Sequence, residues 1–582
     1  MYFDRKHWIV LGILGVMFVL LLWIASSMSA TNDEFNHVGK GHLFLTTGEM
    51  FIVSNPPLEN IVSAIPLLVV NANVPKNHTA YFLNNDFSGY AYQFMYNSGN
   101  DPRQITFLSR IPGILFAVLL GWMLYRFLNK HFGYGVGLTG VLLYAFNPLV
   151  LGYAPIAATD FLFSGLFFIS CIAMHGYFRN PDLKRALAVG LLVGLTLGAK
   201  SSGMFLIPLY GIFLLYEIIW TRKNKESRLN LLKMQIAHII TMGIAMLVII
   251  NVLYGFQGSF TPLGKNLADD PSRYFDKERF NAQTIATQLG LGSSTLTKIQ
   301  LGLIENVPTF VPYAFAKDIF SAFRISEEWN GGYLFGEYRK EGFWYYFPVV
   351  LFFKTPIALW ILWIAGGVYL ARQSKFRREF IYMILPVAFV LLLFTQQRFN
   401  VGVKYVLPVV FFVICLAACS YVWVRDAKRK RWALYGVIGG ITLAIVPMLI
   451  VLPYALGFAN VLAGGPAHAH KIMTNANIDW GQDVKALGEY VQENHIENIS
   501  IALYAIEDPS SYGISYTPLT HFGSTLKDGK KYMECSPVNG YVAISVTYLQ
   551  GDALENPECF AWLRDKQPIG RAGTSILIFS IG

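Results

Sequence analysis

Two adjacent carboxylates, Asp33 and Glu34, follow directly on the first long apolar run, residues 8–30, with His37 and Asn55 further along the same polar stretch. Carboxylates placed there meet the aqueous edge of a bilayer and avoid the ~2.5–3.5 kcal/mol that an acid costs at its centre. Such a pair can be a solvated boundary, or it can supply the base that turns an acceptor hydroxyl into a nucleophile. A third acid, Asp160, opens another apolar run directly after the turn 154–159. An aspartate there can cap a helix, since its oxygens accept from free backbone N–H groups, or it can join the acidic pair. Three cations stand in or beside apolar runs: Lys200 in Gly-Ala-Lys-Ser-Ser-Gly, Lys404 at the start of a run, and Lys354 about eleven residues into the run 343–371. That depth is roughly 16 Å along a helix. A cation so placed needs an anionic partner or an aqueous cavity, and a lipid phosphate at headgroup level would be such a partner. Snorkelling is feasible for Lys200 and Lys404, beside the functional reading, and is strained for Lys354.

Other chemistries find no matching pattern. His37 and His42, or His468 and His470, do not make a helical i, i+4 ligand set, so no metal is indicated. There is no P-loop, Rossmann fingerprint or Gly-x-Ser-x-Gly, which argues against a nucleotide-driven pump.

The elements that must hold these residues are membrane spans. With 54% apolar and only 14% charged residues over 582 positions, the chain is too apolar for a soluble protein. Near-uncharged runs of about 20 residues match ~30 Å of hydrocarbon. Eleven spans are expected, at about 8–30, 105–125, 134–152, 160–178, 185–200, 203–220, 234–255, 343–371, 379–395, 403–424 and 432–453. The first is read as a retained helix, because it is longer than the apolar core of a signal peptide. A net charge of +10 could suggest nucleic acid or anionic lipid, but Lys and Arg cluster in alternate short loops, as the positive-inside trend requires, and no nucleic-acid partner is needed. That bias puts the N-terminus inside and the acids outside.

Outer regions are then 31–104, 256–342 and the tail 454–582. Within the second, 304–323 mixes apolar residues with Pro308 and Pro312 and is expected to lie along the membrane surface. In the tail, Val484, Leu487 and Val491 have helical spacing, and 499–504, 541–548 and 575–581 read as strands. The expected organisation is a transmembrane domain, 1–453, with a small extracytoplasmic α/β domain, 454–582. Of five cysteines only Cys535 and Cys559 fall in polar sequence on the side that is oxidising in most cells. A disulfide between them would add roughly 3 kcal/mol on the chain-entropy estimate, against the alternative of two buried thiols.

Several stretches, taken in order, resemble membrane glycosyltransferases that use a lipid-phosphate-linked sugar: Asp33-Glu34, Pro56-Pro57-Leu58, Thr159-Asp160, Gly198-Ala199-Lys200, Tyr333-Leu334-Phe335-Gly336-Glu337, Trp344-Tyr345-Tyr346-Phe347, Lys354-Thr355-Pro356, Lys404-Tyr405-Val406-Leu407-Pro408 and Asn477-Ile478-Asp479-Trp480-Gly481-Gln482-Asp483. The resemblance covers nearly the whole chain and is to the protein O-mannosyltransferase and aminoarabinose-transferase branch. It implies a GT-C-like polytopic α-helical fold, a polyprenyl-phosphate sugar as donor, and a glycan, lipid or protein acceptor at the plasma membrane. By it Asp33 would be the catalytic base, Glu34 would help hold the acceptor and Asp160 would complete the acidic site. Lys200, Lys404 and Lys354 would meet the donor phosphate, and His37 and Asn55 would lie in the acceptor and donor loop. Asn55 stands where relatives often carry His or Lys. No Arg follows the acidic pair closely as in the aminoarabinose transferases, which argues against that substrate. A transporter or flippase with intramembrane charges along a path is the competing class, and a ligase joining whole glycan blocks a third.

Overall fold

A computed structural model describes residues 5–51, 56–83, 86–221, 225–261, 308–319, 331–427, 430–520 and 533–582. Among these, seven helices are long and apolar enough to cross a membrane: Arg5–Ser27, Pro102–Phe132, Thr159–Arg179, Ser201–Thr221, Glu226–Leu253, Val403–Asp426 and Lys430–Val451. The pair Tyr346–Phe353 and Ile357–Ala371 would make an eighth span, but it is bent by 111° at its break.

The shortfall from eleven has local causes. The expected span 134–152 divides into Tyr134–Ala145 and Pro148–Tyr153. Asn147 closes the first helix and caps the second, accepting from Leu149 N at 3.0 Å, with Pro148 at the first helical position where a missing N–H costs nothing. Helix Leu183–Ala199 has 17 residues and stops where Lys200 turns extended. Helix Arg377–Phe394 spends its first turn on Arg377, Arg378 and Glu379. The run 343–371 breaks at Lys354-Thr355-Pro356, since proline cannot continue the preceding helix. Lys354 therefore sits at a break between two helices and not part-way down one span. The stretch 31–104, read as an outer loop, holds the helices Asn32–Thr47, Leu58–Val69, His78–Leu83 and Phe87–Tyr96. Of the surface segment expected at 304–323, residues 304–307 and 320–323 lie outside the described residues, and 313–319 are helical.

Two compact units emerge. One comprises Met1–Val38, Asp101–His175 and Ser326–Gly582, the other Gly39–Asn100 and Gly176–Ile325. In the second unit, Leu183–Ala199 lies against Lys225–Leu253, with Gly190 against the backbone of Met242 and Gly194 against Met246. A Cβ at either glycine would force the helices apart.

In the first unit the tail carries a five-stranded sheet in the order Tyr516–Pro518, Ile499–Ala502, Gly540–Ser545, Ile576–Ile581, Gly570–Ala572. The Ile499–Ala502 strand pairs parallel with both neighbours, and the pairs beyond Gly540–Ser545 are antiparallel. Helix Val484–Glu493 lays Val484, Leu487 and Val491 on Ile499, Ile501, Ile576 and Ile578, so the apolar spacing read in the sequence is the face that packs. The run 541–548 is a strand only to Ser545; Val546–Leu549 turns helical.

Candidate functional site

The acids stand at the start of helix Asn32–Thr47, in its first turn, where carboxylates are favoured by the helix dipole. The link to this helix from Arg5–Ser27 is laced to the tail segment 480–484. Ser29 N donates to Gln482 O and Asn32 N to Trp480 O, both at 3.0 Å. Val484 N donates to Ser29 Oγ at 3.0 Å, and Ser29 Oγ to Gly481 O at 3.0 Å. Asp483 in turn accepts from Thr574 N at 2.7 Å and Ser575 N at 2.8 Å. Gly573, at φ +56°, turns the chain there, and a Cβ on it would run into the Asp483 carboxylate. The Asn-Ile-Asp-Trp-Gly-Gln-Asp stretch thus acts as scaffold for the acidic helix start.

Glu34 is only 1% exposed and wholly engaged. Arg110 grips it bidentately, Nε to Oε1 at 2.8 Å and Nη2 to Oε2 at 2.7 Å. Ala157 N and Thr31 N donate to the same carboxylate at 2.9 and 2.8 Å. Arg110 spends its remaining donors on the carbonyls of Ala25, Met28 and Ser29. Glu34, expected at the acceptor, has both oxygens held in the structure and ties three segments together. Arg110 was missed. The available signal was a guanidinium inside the otherwise apolar run 105–125, which needs a buried partner.

Asp33, one residue earlier, faces the other way. Its side chain is 40% exposed, and Lys404 donates to its Oδ2 at 2.9 Å. The same ammonium lies 3.9 Å from Asp160 Oδ2, with Asp160 buried in the first turn of Thr159–Arg179. Lys404 also sits 4.0 Å from the centre of the Trp480 ring, a cation–π contact. Its backbone is set by Asn477, whose Oδ1 accepts from Val403 N at 2.9 Å and whose amide donates to the Tyr346 hydroxyl at 2.7 Å. Lys404, expected at the donor phosphate, has its ammonium between two carboxylates in the structure. One cation thus lies between two acids, of which Asp33 keeps an exposed side that an incoming group can reach.

The remaining predicted residues are more scattered. His37 is buried one turn along from Asp33 on the same helix. Lys354 donates to Leu456 O at 2.6 Å and is 1% exposed. Lys200 belongs to the second unit, between Leu183–Ala199 and the 3-10 turn Ser201–Phe205. Asn55 lies outside the described residues. Cys535 and Cys559 are joined by a disulfide, and Cys171, Cys415 and Cys419 are buried thiols.

Two further acids underpin the site. Glu507 accepts from Ala30 N at 2.6 Å and from the Tyr512 hydroxyl at 2.9 Å, and burial pushes its carboxyl up to about 7. Burial likewise pushes Asp479 up to about 7; it accepts from Thr547 N at 3.1 Å.

Residues 104–254 match the family described as dolichyl-phosphate-mannose-protein mannosyltransferase. No curated protein matches the chain by sequence. Among solved structures, ArnT from Cupriavidus metallidurans in the apo state is similar over 98% of this chain and 97% of its own, at 12% identity and a TM-score of 0.47. The same protein bound to undecaprenyl phosphate is similar at 11% identity, TM-score 0.45, over 99% and 98% of the two chains. The oligosaccharyltransferase of Archaeoglobus fulgidus in the apo form is similar at 13% identity, TM-score 0.47, over 88% of this chain and 64% of its own. Residues 104–254, which include Arg110 and Asp160, carry the signature of the dolichyl-phosphate-mannose-protein mannosyltransferases, in agreement with the membrane glycosyltransferase superfamily that the sequence resembles.

Proposed function

We propose that this chain is an inverting glycosyltransferase of GT-C type that moves a single sugar, a mannose-like hexose or a pentose, from a polyprenyl-phosphate carrier to an acceptor hydroxyl on the outer side of the plasma membrane. The observation that carries the reading is the ion cluster of Asp33, Lys404 and Asp160, in which Asp33 alone is substantially exposed. The family match over 104–254 supports the donor class.

Asp33 takes the proton of the acceptor hydroxyl as its oxygen attacks the anomeric carbon. The bond from that carbon to the carrier phosphate breaks, its electron pair leaves on the phosphate, and the new glycosidic bond has inverted configuration. Lys404 aims Asp33 through their ion pair, and Asp160 fixes Lys404 from behind; both are positioning residues. Lys200 is assigned to the donor phosphate from the sequence alone. The side of the membrane is read from charge: Thr159–Arg179 begins with Asp160 and ends with Arg179, and Pro102–Phe132 ends with Lys130 and His131.

The test is transfer of radiolabelled sugar from a polyprenyl-phosphate sugar to extracted acceptors by intact protein and by Asp33→Asn. Loss of a general base lowers turnover by about 10²–10⁴-fold. Normal turnover by the variant ends the mechanism, and movement of lipid-linked sugar with no new glycosidic product favours a transporter.

A further inference from the structure

About fifteen residues beyond Asp160, at the other end of helix Thr159–Arg179, a second polar cluster is buried, roughly 22 Å away along the axis. Three helix ends meet there: His131 in the last turn of Pro102–Phe132, His175 in the last turns of Thr159–Arg179, and Glu379 in the first turn of Arg377–Phe394. One nitrogen from each imidazole and one carboxylate oxygen lie within 4.8 Å of one another. His131 Nδ1 is 3.5 Å from Glu379 Oε1 and His175 Nε2 is 3.8 Å from the same oxygen. These separations sit at or beyond the long end of hydrogen bonding, ~2.7–3.2 Å. They approach the ~3.3 Å that separates two ligand atoms on one tetrahedral zinc with bonds of about 2.0–2.1 Å.

We propose that His131, His175 and Glu379 form a binding site for a divalent cation of the zinc class, which cross-links the three helix ends on the side away from the acidic site. Donor chemistry selects the ion: two imidazoles and one carboxylate suit zinc and its neighbours, whereas calcium and magnesium want oxygen ligands throughout. Burial argues the same way. The side chains of His131, His175 and Glu379 are 7%, 3% and 9% exposed. Aromatic rings wall them in, with Phe127 centred 5.0 Å from His131 and Tyr382 centred 5.0 Å from His175. A carboxylate in so dry a place needs a compensating positive charge. The ion supplies it and leaves a fourth position for water. The site owes nothing to the glycosyltransferase reading and stands if that reading fails. It escaped sequence reasoning because each ligand comes from a different helix, so no spacing announces it.

The experiment uses the full-length protein, purified in detergent through a tag without histidine, stripped with a chelator and titrated with Zn²⁺, with Co²⁺ as the spectroscopic probe. Expected are about one tightly held Zn²⁺ per chain and visible d–d bands of low-symmetry Co²⁺. His175→Gln and Glu379→Gln lower the affinity at least ~10-fold, while Asp33→Asn keeps the ion. Should the variants fail to fold, the wild-type protein decides: Zn²⁺ protects His131 and His175 from diethyl pyrocarbonate, mapped by peptide mass spectrometry. Binding that is absent, unchanged in both variants, or lost with Asp33→Asn overturns the proposal and leaves the cluster as a carboxylate–imidazole ion pair; so does undiminished labelling of both histidines in zinc.

Discussion

Replacing Arg110 by methionine tests the scaffold more severely than any change at Asp33. The side chain is 1% exposed and makes five contacts: two to Glu34 and three to the carbonyls of Ala25, Met28 and Ser29. Methionine refills much of the volume but none of the charge. Glu34 would keep two backbone donors, from Thr31 and Ala157, and lose the cation that offsets its desolvation. Breaking a buried ion pair from one side costs about 3–5 kcal/mol, or roughly two to nearly four powers of ten in the folding equilibrium. Because Glu34 adjoins Asp33, the proposed base should also drift, and misplacement of about 1 Å alone can lower turnover ~10²-fold. Thermal unfolding in detergent and single-turnover sugar transfer measure the two effects. Pairing the change with Glu34→Gln sharpens the test, since a neutral amide no longer requires the guanidinium. The double variant should therefore be more stable than Arg110→Met, with a coupling of roughly 0.5–3 kcal/mol. An Arg110→Met protein with unaltered melting and turnover, or strictly additive variants, would refute the clamp.

Lys404→Met removes the cation that Asp33 and Asp160 share, and turnover should fall by at least ~10²-fold with the donor still bound, which isotope-labelled binding and transfer assays separate. Glu507 and Asp479 hold their protons up to about pH 7 in the folded state, above the ordinary carboxylate range. Their contribution is fully present below pH ~4 and is lost as pH rises to 7, so stability should decline over that window, and Glu507→Gln with Asp479→Asn should flatten the decline. Unreduced peptide mapping should recover one linked peptide joining Cys535 to Cys559, whereas two free-thiol peptides would contradict the bridge. Reduction should lower the tail's stability by about 3 kcal/mol.

Several features were legible in the sequence because they depend on local pattern. Long apolar runs announce membrane helices within about 20 residues of chain, and the spacing of Val484, Leu487 and Val491 announces the amphipathic helix of the tail. Asp33, Asp160 and Lys404 stood out because charge beside an apolar run is expensive. What they do to one another was not legible: Lys404 lies 371 positions from Asp33, and only the closed first unit brings them to 2.9 Å. The tertiary structure also separated two neighbours that look alike in sequence. A helix start turns Asp33 toward the open side and Glu34 inward onto Arg110, 76 residues away, because successive helical residues point about 100° apart. The sharp bend at Lys354-Thr355-Pro356 and the meeting of His131, His175 and Glu379 were likewise decided in three dimensions. Composition can say that a buried charge must find a partner, but packing alone chooses which one.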